Sequence, residues 1–170
     1  MNIRILVPDD AEPFQRLRLQ ALQESPTAFG SSYSEEKDRP LQKVAQRLAS
    51  EESRVFGAFA RDGQLVGVTG LYREQRKKSH HKALIFGMYV APEFREQGIG
   101  RALLEAALSQ ARDLVGLRRV NLTVMASNQA ARSLYESCGF EAYGMEREDF
   151  KIRGNYYDAV RMTLCLEQEA

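Results

Sequence analysis

Apolar residues along this chain follow two patterns in turn: short alternating or continuous runs, and longer runs with helical spacing. The short runs predict strands, and they cover residues 3–7, 54–60, 65–72, 83–90, 119–125 and 156–166, with a further strand beginning at 140. Apolar positions three or four residues apart predict helices at 10–24, from about 40 to 48, at 99–115 and at 128–137. The predicted order of elements is β-α-α-β-β-β-α-β-α-β-β.

Most neighbouring strands in this order can pair as antiparallel hairpins, and Asp62-Gly63 and Gly154-Asn155 are turn signals of that kind. Near the centre, a helix joins the strand at 83–90 to the strand at 119–125, which predicts a parallel pair. The fold class is therefore α/β with a mixed sheet. The apolar stripe of the connecting helix, which ends at Val115, is expected to face that sheet.

Length and composition narrow the possibilities. A chain of 170 residues is consistent with a single domain covering residues 1–170. Its net charge of +1 argues against a dedicated nucleic-acid or membrane-surface binder, because such proteins usually carry a basic excess. No apolar run approaches the ~20 residues that cross a bilayer, and no signal peptide is visible, so a cytoplasmic location is expected. Cys138 and Cys165 are expected to be small buried residues, and no metal site is expected.

The segment that first indicates chemistry is the turn Arg95-Glu96-Gln97-Gly98-Ile99-Gly100-Arg101, between a predicted strand and a predicted helix. Its two glycines allow positive φ and the close approach of a ligand, and the first N–H groups of the helix lack intrahelical partners. Arg95 and Arg101 flank it with charges that suit phosphate oxygens. The turn predicts a site for a pyrophosphate-bearing cofactor, and a tight turn without a ligand is the alternative. It is not a dinucleotide fingerprint, because Leu103 replaces the third glycine.

A second segment follows after a helix and a strand: Asn128-Gln129-Ala130-Ala131-Arg132-Ser133-Leu134-Tyr135-Glu136-Ser137-Cys138-Gly139-Phe140. Together with the Arg-x-x-Gly-x-Gly turn, it resembles the GNAT superfamily of N-acetyltransferases, and the resemblance covers nearly the whole chain. The resemblance implies a mostly antiparallel sheet with flanking helices, whose central parallel strands splay apart into a V. It also implies acetyl-CoA (coenzyme A) as the cofactor.

The resemblance places the cofactor site residue by residue. The pantetheine arm is expected to pair with the strand edge that ends at Val90, and the pyrophosphate is expected to bind the amides from Gln97 to Arg101. Asn128 is expected to bond the pantetheine region, to cap its helix, or to do both. The expected cofactor-binding residues are Met88, Tyr89, Val90, Arg95, Glu96, Gln97, Gly98, Ile99, Gly100, Arg101, Asn128, Ser133 and Tyr135.

Catalysis is expected to centre on Tyr135, which matches the family tyrosine near the cofactor sulfur and could protonate the leaving thiolate. The alternative is a buried tyrosine between helix and sheet. A main-chain N–H at the splay, that of Tyr89 or a neighbour, is expected to polarise the thioester carbonyl. Residues 84–89 contain no carboxylate, so a water chain is the expected acceptor of the amine proton. Glu35 and Glu36 could reach the cleft, but they are expected on a solvated helix surface.

The acceptor site is expected between the first two helices, their connecting loop and the last hairpin. The residues expected to bind the acceptor are Phe29, Ser31, Ser32, Tyr33 and Tyr157, with Tyr156 and residues 150–154 beside them. They suit a small amine or a peptide N-terminus equally, and no acidic cluster favours a polyamine. The expected activity is direct acetyl transfer to a primary amine, and a non-catalytic acyl-CoA-binding sensor or interaction module is the alternative. A homodimer formed through edge strands stays open.

Overall fold

Seven strands form one sheet in the computed structural model of the chain, which describes residues 1–166. The strands are β1 (Asn2–Ile5), β2 (Ser53–Phe59), β3 (Leu65–Arg73), β4 (Lys82–Val90), β5 (Arg119–Met125), β6 (Glu141–Ile152) and β7 (Asn155–Cys165). Their order across the sheet is β1-β2-β3-β4-β5-β7-β6, and every neighbouring pair except β4 and β5 is antiparallel. The predicted mixed sheet with one central parallel pair is confirmed.

The α-helices within residues 1–166 are α1 (Ala11–Glu24), α2 (Tyr33–Glu36), α3 (Leu41–Leu48), α4 (Ile99–Asp113) and α5 (Gln129–Ser137). None of them is long and apolar enough to cross a bilayer. The sequence pattern did not predict α2. It forms because Ser32 and Glu35 make a capping box: the Ser32 N–H donates to the Glu35 carboxylate at 2.7 Å, and the Ser32 hydroxyl accepts the Glu35 N–H at 3.4 Å.

Apolar side chains fill the space on both faces of the sheet. On one face, α4 and α5 pack against a cluster that includes the fully buried Leu103, Leu104 and Val120. On the other face, α1 and α3 cover a cluster that includes Leu6 and Val44. Each helix buries one apolar stripe, so the spacing that predicted the helices also determines which side of each helix meets the sheet.

The apolar stripe of α4 ends earlier than predicted. The helix stops at Asp113, Leu114 takes an extended conformation with ψ 109°, and Gly116 follows at φ +75°. Val115 is consequently 90% exposed, whereas Leu117 is buried. The expectation that Val115 faces the sheet is wrong, because the chain leaves the helix before that residue.

The two cysteines are less buried than expected. Cys138 is half-buried and Cys165 is exposed. Cys138 directly follows the last residue of α5, and Cys165 is the last residue of β7. Side chains at the end of an element are covered from fewer directions than those in its middle, so the expectation of two buried cysteines is wrong.

The parallel strands β4 and β5 stay together over only three residue pairs. Residues 82–84 of β4 pair with residues 119–121 of β5. Beyond this point β4 remains paired with β3 as far as Val90, and β5 remains paired with β7 as far as Met125. The second halves of β4 and β5 therefore face an opening between them, as the family resemblance implied.

A bulge in β4 lies where the two strands separate. Gly87 has φ +64°, and the register between β3 and β4 shifts so that Gly87 and Met88 both lie opposite Thr69. An extra residue bends a strand and increases its twist, which redirects the end of β4. Beside the bulge, the ring of Phe86 lies over Gly70, where a Cβ would come within 2.2 Å of the ring. The glycines at 70 and 87 thus allow the local shape of the opening.

Leu104→Ala tests the packing under α4. It removes a fully buried side chain and should lower the free energy of unfolding by about 2–5 kcal/mol. Leu41→Ala makes the same chemical change at a position that is 48% exposed, and it should cost less than about 1 kcal/mol. Urea unfolding followed by circular dichroism measures both values. Equal losses in the two variants would contradict this description of the core.

Candidate active site

The end of β4 presents main-chain groups to the opening. The Ala91 N–H donates to the Val66 C=O at 2.9 Å, and in an antiparallel pair only alternate residues bond to the same neighbour. Tyr89, two residues earlier, therefore bonds to β3, and the N–H and C=O of Val90 face away from β3. In agreement, the Val90 C=O accepts a hydrogen bond from Arg95 Nε at 2.9 Å. The Val90 N–H is therefore directed into the opening.

The turn before α4 exposes main-chain N–H groups with no side chain in front of them. Glu96 has φ +62°, and Gly98, the N-cap residue of α4, has φ +77°. No side chain caps the helix, and a Cβ built on Gly98 would have no atom within 4 Å. The N–H groups of the first helical turn lack intrahelical partners and suit an anion. The turn therefore fits a diphosphate.

Gly100 does not take the positive φ that its lack of a side chain allows. It lies inside α4. A Cβ at this position would lie 3.4 Å from Leu134 Cδ2 and 3.9 Å from Val90 Cγ2. Its small size lets α4 approach both α5 and the end of β4, so the expectation of a left-handed conformation is wrong at this position.

Protein groups hold both arginines that flank the turn. Arg95 pairs with Glu24 of α1 at 2.9 Å, and its guanidinium lies 5.6 Å from the centre of the Tyr89 ring. The Tyr89 hydroxyl also donates to Glu24, and burial together with this carboxylate raises the pKa of Tyr89. Arg101 donates to the Ser137 hydroxyl at 2.7 Å, at the end of α5. A contact of Arg95 and Arg101 with a diphosphate stays a prediction, and the main-chain amides of the turn lie beside them.

Tyr135 lies on the α4 face of the sheet, in the same apolar cluster as Ile99, with Met88 and Val90 packed against that cluster. It is 6% exposed, and its ring meets the edge of the Phe140 ring at 5.9 Å. Burial raises the pKa of Tyr135 to about 12. Its hydroxyl is therefore protonated at neutral pH and can act as a hydrogen-bond donor.

The other predicted cofactor residues are held locally. The Asn128 side chain accepts the Ala131 N–H at 3.1 Å, so it caps α5. Ser133 is exposed, and its hydroxyl accepts a bond from Gln129 Nε2 at 3.2 Å. Gln97 is also exposed, and its side chain donates to the main chain of a nearby residue. The cap is thus present at Asn128, and a contact of these side chains with a cofactor stays a prediction.

Two adjoining hollows lie on the opposite face, beneath α1, α2 and α3. We call the first the inner cavity; it measures about 330 Å³ and is lined by β4 and β5 on either side of the opening. The second, the outer groove, measures about 650 Å³ and lies between residues 29–35 and residues 150–153. Both are bounded by Phe29, Gly30, Ser31 and Phe150. A molecule that enters the outer groove can therefore extend to the opening.

Most of the residues predicted to bind the acceptor border these hollows. Those that do are Phe29, Ser31, Ser32 and Tyr33. Tyr157 does not line either hollow, but it pairs with Phe150 across β6 and β7, so the two side chains lie on the same face of the sheet. The loop and the last hairpin are thus brought together as expected, and a role for Tyr157 stays a prediction.

Comparison with known proteins decides the family. The chain matches the model of the Acetyltransferase (GNAT) family over residues 18–140. This protein belongs to the GNAT family of acetyltransferases. A solved GNAT-family acetyltransferase from Streptococcus pneumoniae superposes with a TM-score of 0.85 at 26% identity, covering 97% of this chain and 99% of that chain. The predicted family and fold are confirmed.

Relatives of this GNAT protein act on different acceptors, according to their names. An aminoglycoside N(6')-acetyltransferase type 1 from Stenotrophomonas maltophilia is 31% identical over 144 residues, 82% of this chain and 86% of that protein. The [Ribosomal protein bS18]-alanine N-acetyltransferase of Escherichia coli K12 is 37% identical over 83 residues, 49% of this chain and 55% of that protein. The predicted class of enzyme, an N-acetyltransferase, is confirmed, and the acceptor is left open. A cytoplasmic location and a homodimer stay predictions.

Sequence reasoning missed an ion pair beneath the acceptor hollows of this GNAT fold. Arg18 on α1 contacts Glu36 on α2 through Nη2 and Oε1 at 3.2 Å and through Nε and Oε2 at 3.4 Å. Glu36 is 2% exposed, so the expectation of a solvated Glu36 is wrong. Burial raises the pKa of Glu36, but the bonds and charge of Arg18 outweigh that effect and hold it below its ordinary value. The sequence did contain one signal for this ion pair: Arg18 lies at helical spacing from Phe14, on the apolar side of α1.

Three carboxylates of α1 and α2 are engaged by protein groups. Glu36 is paired with Arg18, and Glu24 is bonded by Tyr89 and Arg95. Glu35 accepts bonds from the N–H and the hydroxyl of Ser32, both at 2.7 Å. None of the three is free to accept a proton from an amine without losing these bonds. A water chain as the proton acceptor stays a prediction.

Glu36→Gln should lower the free energy of unfolding at pH 7 by about 3 kcal/mol, because it leaves the buried Arg18 without a counter-charge. The pKa of Glu36 in the folded chain lies below its ordinary value of 4.5. The ion pair therefore contributes fully above about pH 4.5, and its contribution is lost as the pH falls through the folded pKa. Stability of the wild type should fall more on acidification than stability of the variant. Urea midpoints between pH 3 and pH 7 measure the difference.

Glu141→Gln is the matched control for this prediction. Glu141 is exposed on β6, so the same chemical change there should alter stability by less than about 0.5 kcal/mol. If Glu36→Gln kept the full acid sensitivity of the wild type, the ion pair would not be the source of that sensitivity.

Proposed function

We propose that this protein catalyses the acetyl-CoA-dependent acetylation of a primary amine, on a small molecule or at a peptide N-terminus, by direct transfer. One observation carries the proposal. The edge of β4 that has lost its parallel neighbour lies beside the first N–H groups of α4, which lack intrahelical partners. Coenzyme A combines an arm that contains amides with a diphosphate. The arm can add to the edge of β4 as a strand would, and the diphosphate can bind at the start of α4.

The distance between these two features supports the proposal. A Cβ at Gly100 would lie 3.9 Å from Val90 Cγ2, so the start of α4 is in contact range of the end of β4. The segment between Val90 and the turn is a short 3-10 helix, Pro92–Phe94. A single extended ligand can therefore reach both features, whereas a nucleotide without an arm would leave the β4 edge unpaired.

When bound, acetyl-CoA would supply the thioester that the amine attacks and the thiolate that leaves. The Val90 N–H faces the opening and can donate a hydrogen bond to the thioester carbonyl, where negative charge develops. The Tyr135 hydroxyl can donate a hydrogen bond to the thioester sulfur. The pKa of Tyr135, about 12, lies above the reference value of about 8.5 for a thiol. We therefore assign Tyr135 hydrogen-bond donation, with the proton remaining on the tyrosine in the ground state.

Titration and turnover measurements together test the proposal. Calorimetric titration should give stoichiometric binding of acetyl-CoA, and a thiol-release assay over a panel of amines and N-terminal peptides should give release that depends on the acceptor. Binding without acceptor-dependent release on any member of the panel would overturn the proposal and favour a non-catalytic acyl-CoA-binding module.

Gly98→Ala should raise the KM for acetyl-CoA by about tenfold, the effect of ~1.4 kcal/mol of lost binding. The added methyl group enters the space before α4, and the positive φ of Gly98 disfavours alanine. Initial rates at varied acetyl-CoA and saturating acceptor measure this KM.

Gly63→Ala is the matched control for the turn. Gly63 also has positive φ, +85°, and a Cβ there would also have no atom within 4 Å. Both variants should therefore lose about 1 kcal/mol of stability from backbone strain, while Gly63→Ala leaves the KM unchanged. A normal KM in Gly98→Ala would count against the assignment of the turn.

Tyr135→Phe should lower kcat by about 10²–10³-fold, the usual effect of removing one donor to a developing charge. The KM for acetyl-CoA should change little, because the ring and its contact with Phe140 remain. Tyr143→Phe, at a position that is 59% exposed, is the control. A kcat within about threefold of the wild type would reduce Tyr135 to a packing residue.

A further inference from the structure

The acceptor site carries more positive charge than the protein itself balances. Arg18 and Arg47 both line the inner cavity, and no acidic residue lines it among residues 1–166. The outer groove adds Lys151 and Arg153 against one acid, Glu35. This local excess of positive charge contrasts with the net charge of the whole chain, which is +1. An acceptor that enters these hollows therefore meets a cationic site.

Glu36 forms hydrogen bonds with only one of the two guanidiniums. Both of its oxygens contact Arg18, at 3.2 Å and 3.4 Å. Arg47 has no hydrogen-bonded or ion-paired partner within the part of the chain that the structure describes, and it is half-buried. Burial lowers the pKa of Arg47, the charge of Glu36 opposes this effect, and the charges of Arg18 and Arg39 add to it, so the pKa of Arg47 lies below its ordinary value. A cation in this setting is stabilised by an anion that enters the cavity.

Aromatic rings hold both guanidiniums in place. Arg47 lies over the Phe86 ring at 5.8 Å from its centre, and Arg18 lies over the Phe29 ring at 4.6 Å. Phe86 is itself fixed, because its ring occupies the space above Gly70. A guanidinium held by a ring loses less freedom when it binds a carboxylate. The two guanidiniums are therefore preorganised for binding an anion.

The rest of the inner cavity is largely apolar. Its lining includes Phe29, Phe150, Leu122 and Met125. Its volume of about 330 Å³ falls at the lower end of the range for small-molecule sites, ~300–1,000 Å³. The cavity thus suits a small acceptor that combines an anionic group with an apolar body. Gly87 also lines the cavity, so the cavity reaches the opening between β4 and β5.

Building on the proposed function, we propose that the acceptor is an amino acid with an apolar side chain, whose carboxylate binds Arg47 in the inner cavity. A guanidinium can form two parallel hydrogen bonds to a carboxylate. The apolar side chain packs among Phe29, Phe86 and Phe150, and the amino group is directed towards Gly87 and the opening. Arg18, already paired with Glu36, adds positive charge without being the main contact.

The same charges disfavour a polycationic acceptor. An aminoglycoside carries several ammonium groups, each of which would meet like charge at Arg18, Arg47, Lys151 and Arg153. A relative named for an aminoglycoside is 31% identical to this chain, but the acceptor is selected by the side chains of the cavity and not by the fold. We therefore expect this protein to select against such acceptors.

Matched pairs of acceptors test the proposal. L-phenylalanine and L-leucine are compared with their carboxamides, which have nearly the same size but lack the negative charge, at equal concentrations of unprotonated amine, and kanamycin and spermidine serve as polycations. Thiol release at saturating acetyl-CoA gives kcat/KM for each. The acids should exceed their amides by about 30-fold, the effect of losing one charge-assisted contact worth ~2 kcal/mol, and the polycations should be the poorest acceptors.

Variants assign the preference to Arg47. Arg47→Gln should abolish the preference, so that the ratio of kcat/KM for each acid to kcat/KM for its amide falls from about 30 to about one. Arg47→Lys, which keeps the charge but not the fork, should retain part of the preference. Arg112→Gln, at an exposed arginine of α4, is the control and should behave as the wild type. Far-UV circular dichroism confirms that each variant is folded.

The outcomes separate this proposal from the proposed function. Amides or polycations acetylated as well as the acids, or a preference that survives in Arg47→Gln, would overturn the amino-acid proposal and leave acetyl transfer intact. If no acceptor causes thiol release, the proposed function fails. Calorimetric binding of N-acetyl-L-phenylalanine and its amide to protein saturated with coenzyme A then decides: acid-selective binding that is lost in Arg47→Gln supports an anion site at Arg47, and equal binding of the two overturns it.

Discussion

Main-chain polar groups along a strand edge need partners, and in this protein the edge of β4 loses its parallel neighbour after residue 84. β3 holds β4 as far as Val90 and β7 holds β5 as far as Met125, so the opening belongs to the sheet and is not a frayed end. The bulge at Gly87 sets the direction of the final residues of β4. The amides before α4, Tyr135 and the inner cavity all lie around this one separation.

The opening also divides recognition between the two faces of the sheet. On the α4 face, the groups available to a cofactor include main-chain amides, while Arg95 is paired with Glu24 and Arg101 is bonded to the neutral Ser137 hydroxyl. On the α1 face, the groups available to an acceptor are side chains, and they carry the unbalanced charge. Amides give the same binding chemistry whatever their side chains are, whereas a change of a few side chains changes the acceptor. This division explains how relatives with one fold can be named for such different acceptors.

The strands, the helices other than α2 and the turn at Gly98 could be predicted because each depends on residues close together in sequence. The parallel pair followed from the strand-helix-strand order of these elements. Gly98 needs positive φ at a strand-to-helix turn, which a local pattern can indicate. Arg47 and the Arg18–Glu36 pair could not be predicted in the same way, because only the packing of α1, α2 and α3 brings these charges to the cavity. The prediction that Val115 faces the sheet was wrong for a related reason: the apolar pattern continues past the residue at which the helix ends.

The most direct test of this account is the response of single main-chain amides to acetyl-CoA. Nuclear magnetic resonance of ¹⁵N-labelled protein resolves each amide, and hydrogen exchange reports whether it gains a partner. The account predicts that the amides of Val90, Ile99 and Gly100 shift and exchange more slowly in the presence of the cofactor, while the amide of Gly63 is unaffected. Saturation with acetyl-CoA that left Val90 and the start of α4 unchanged, and perturbed another surface, would contradict it.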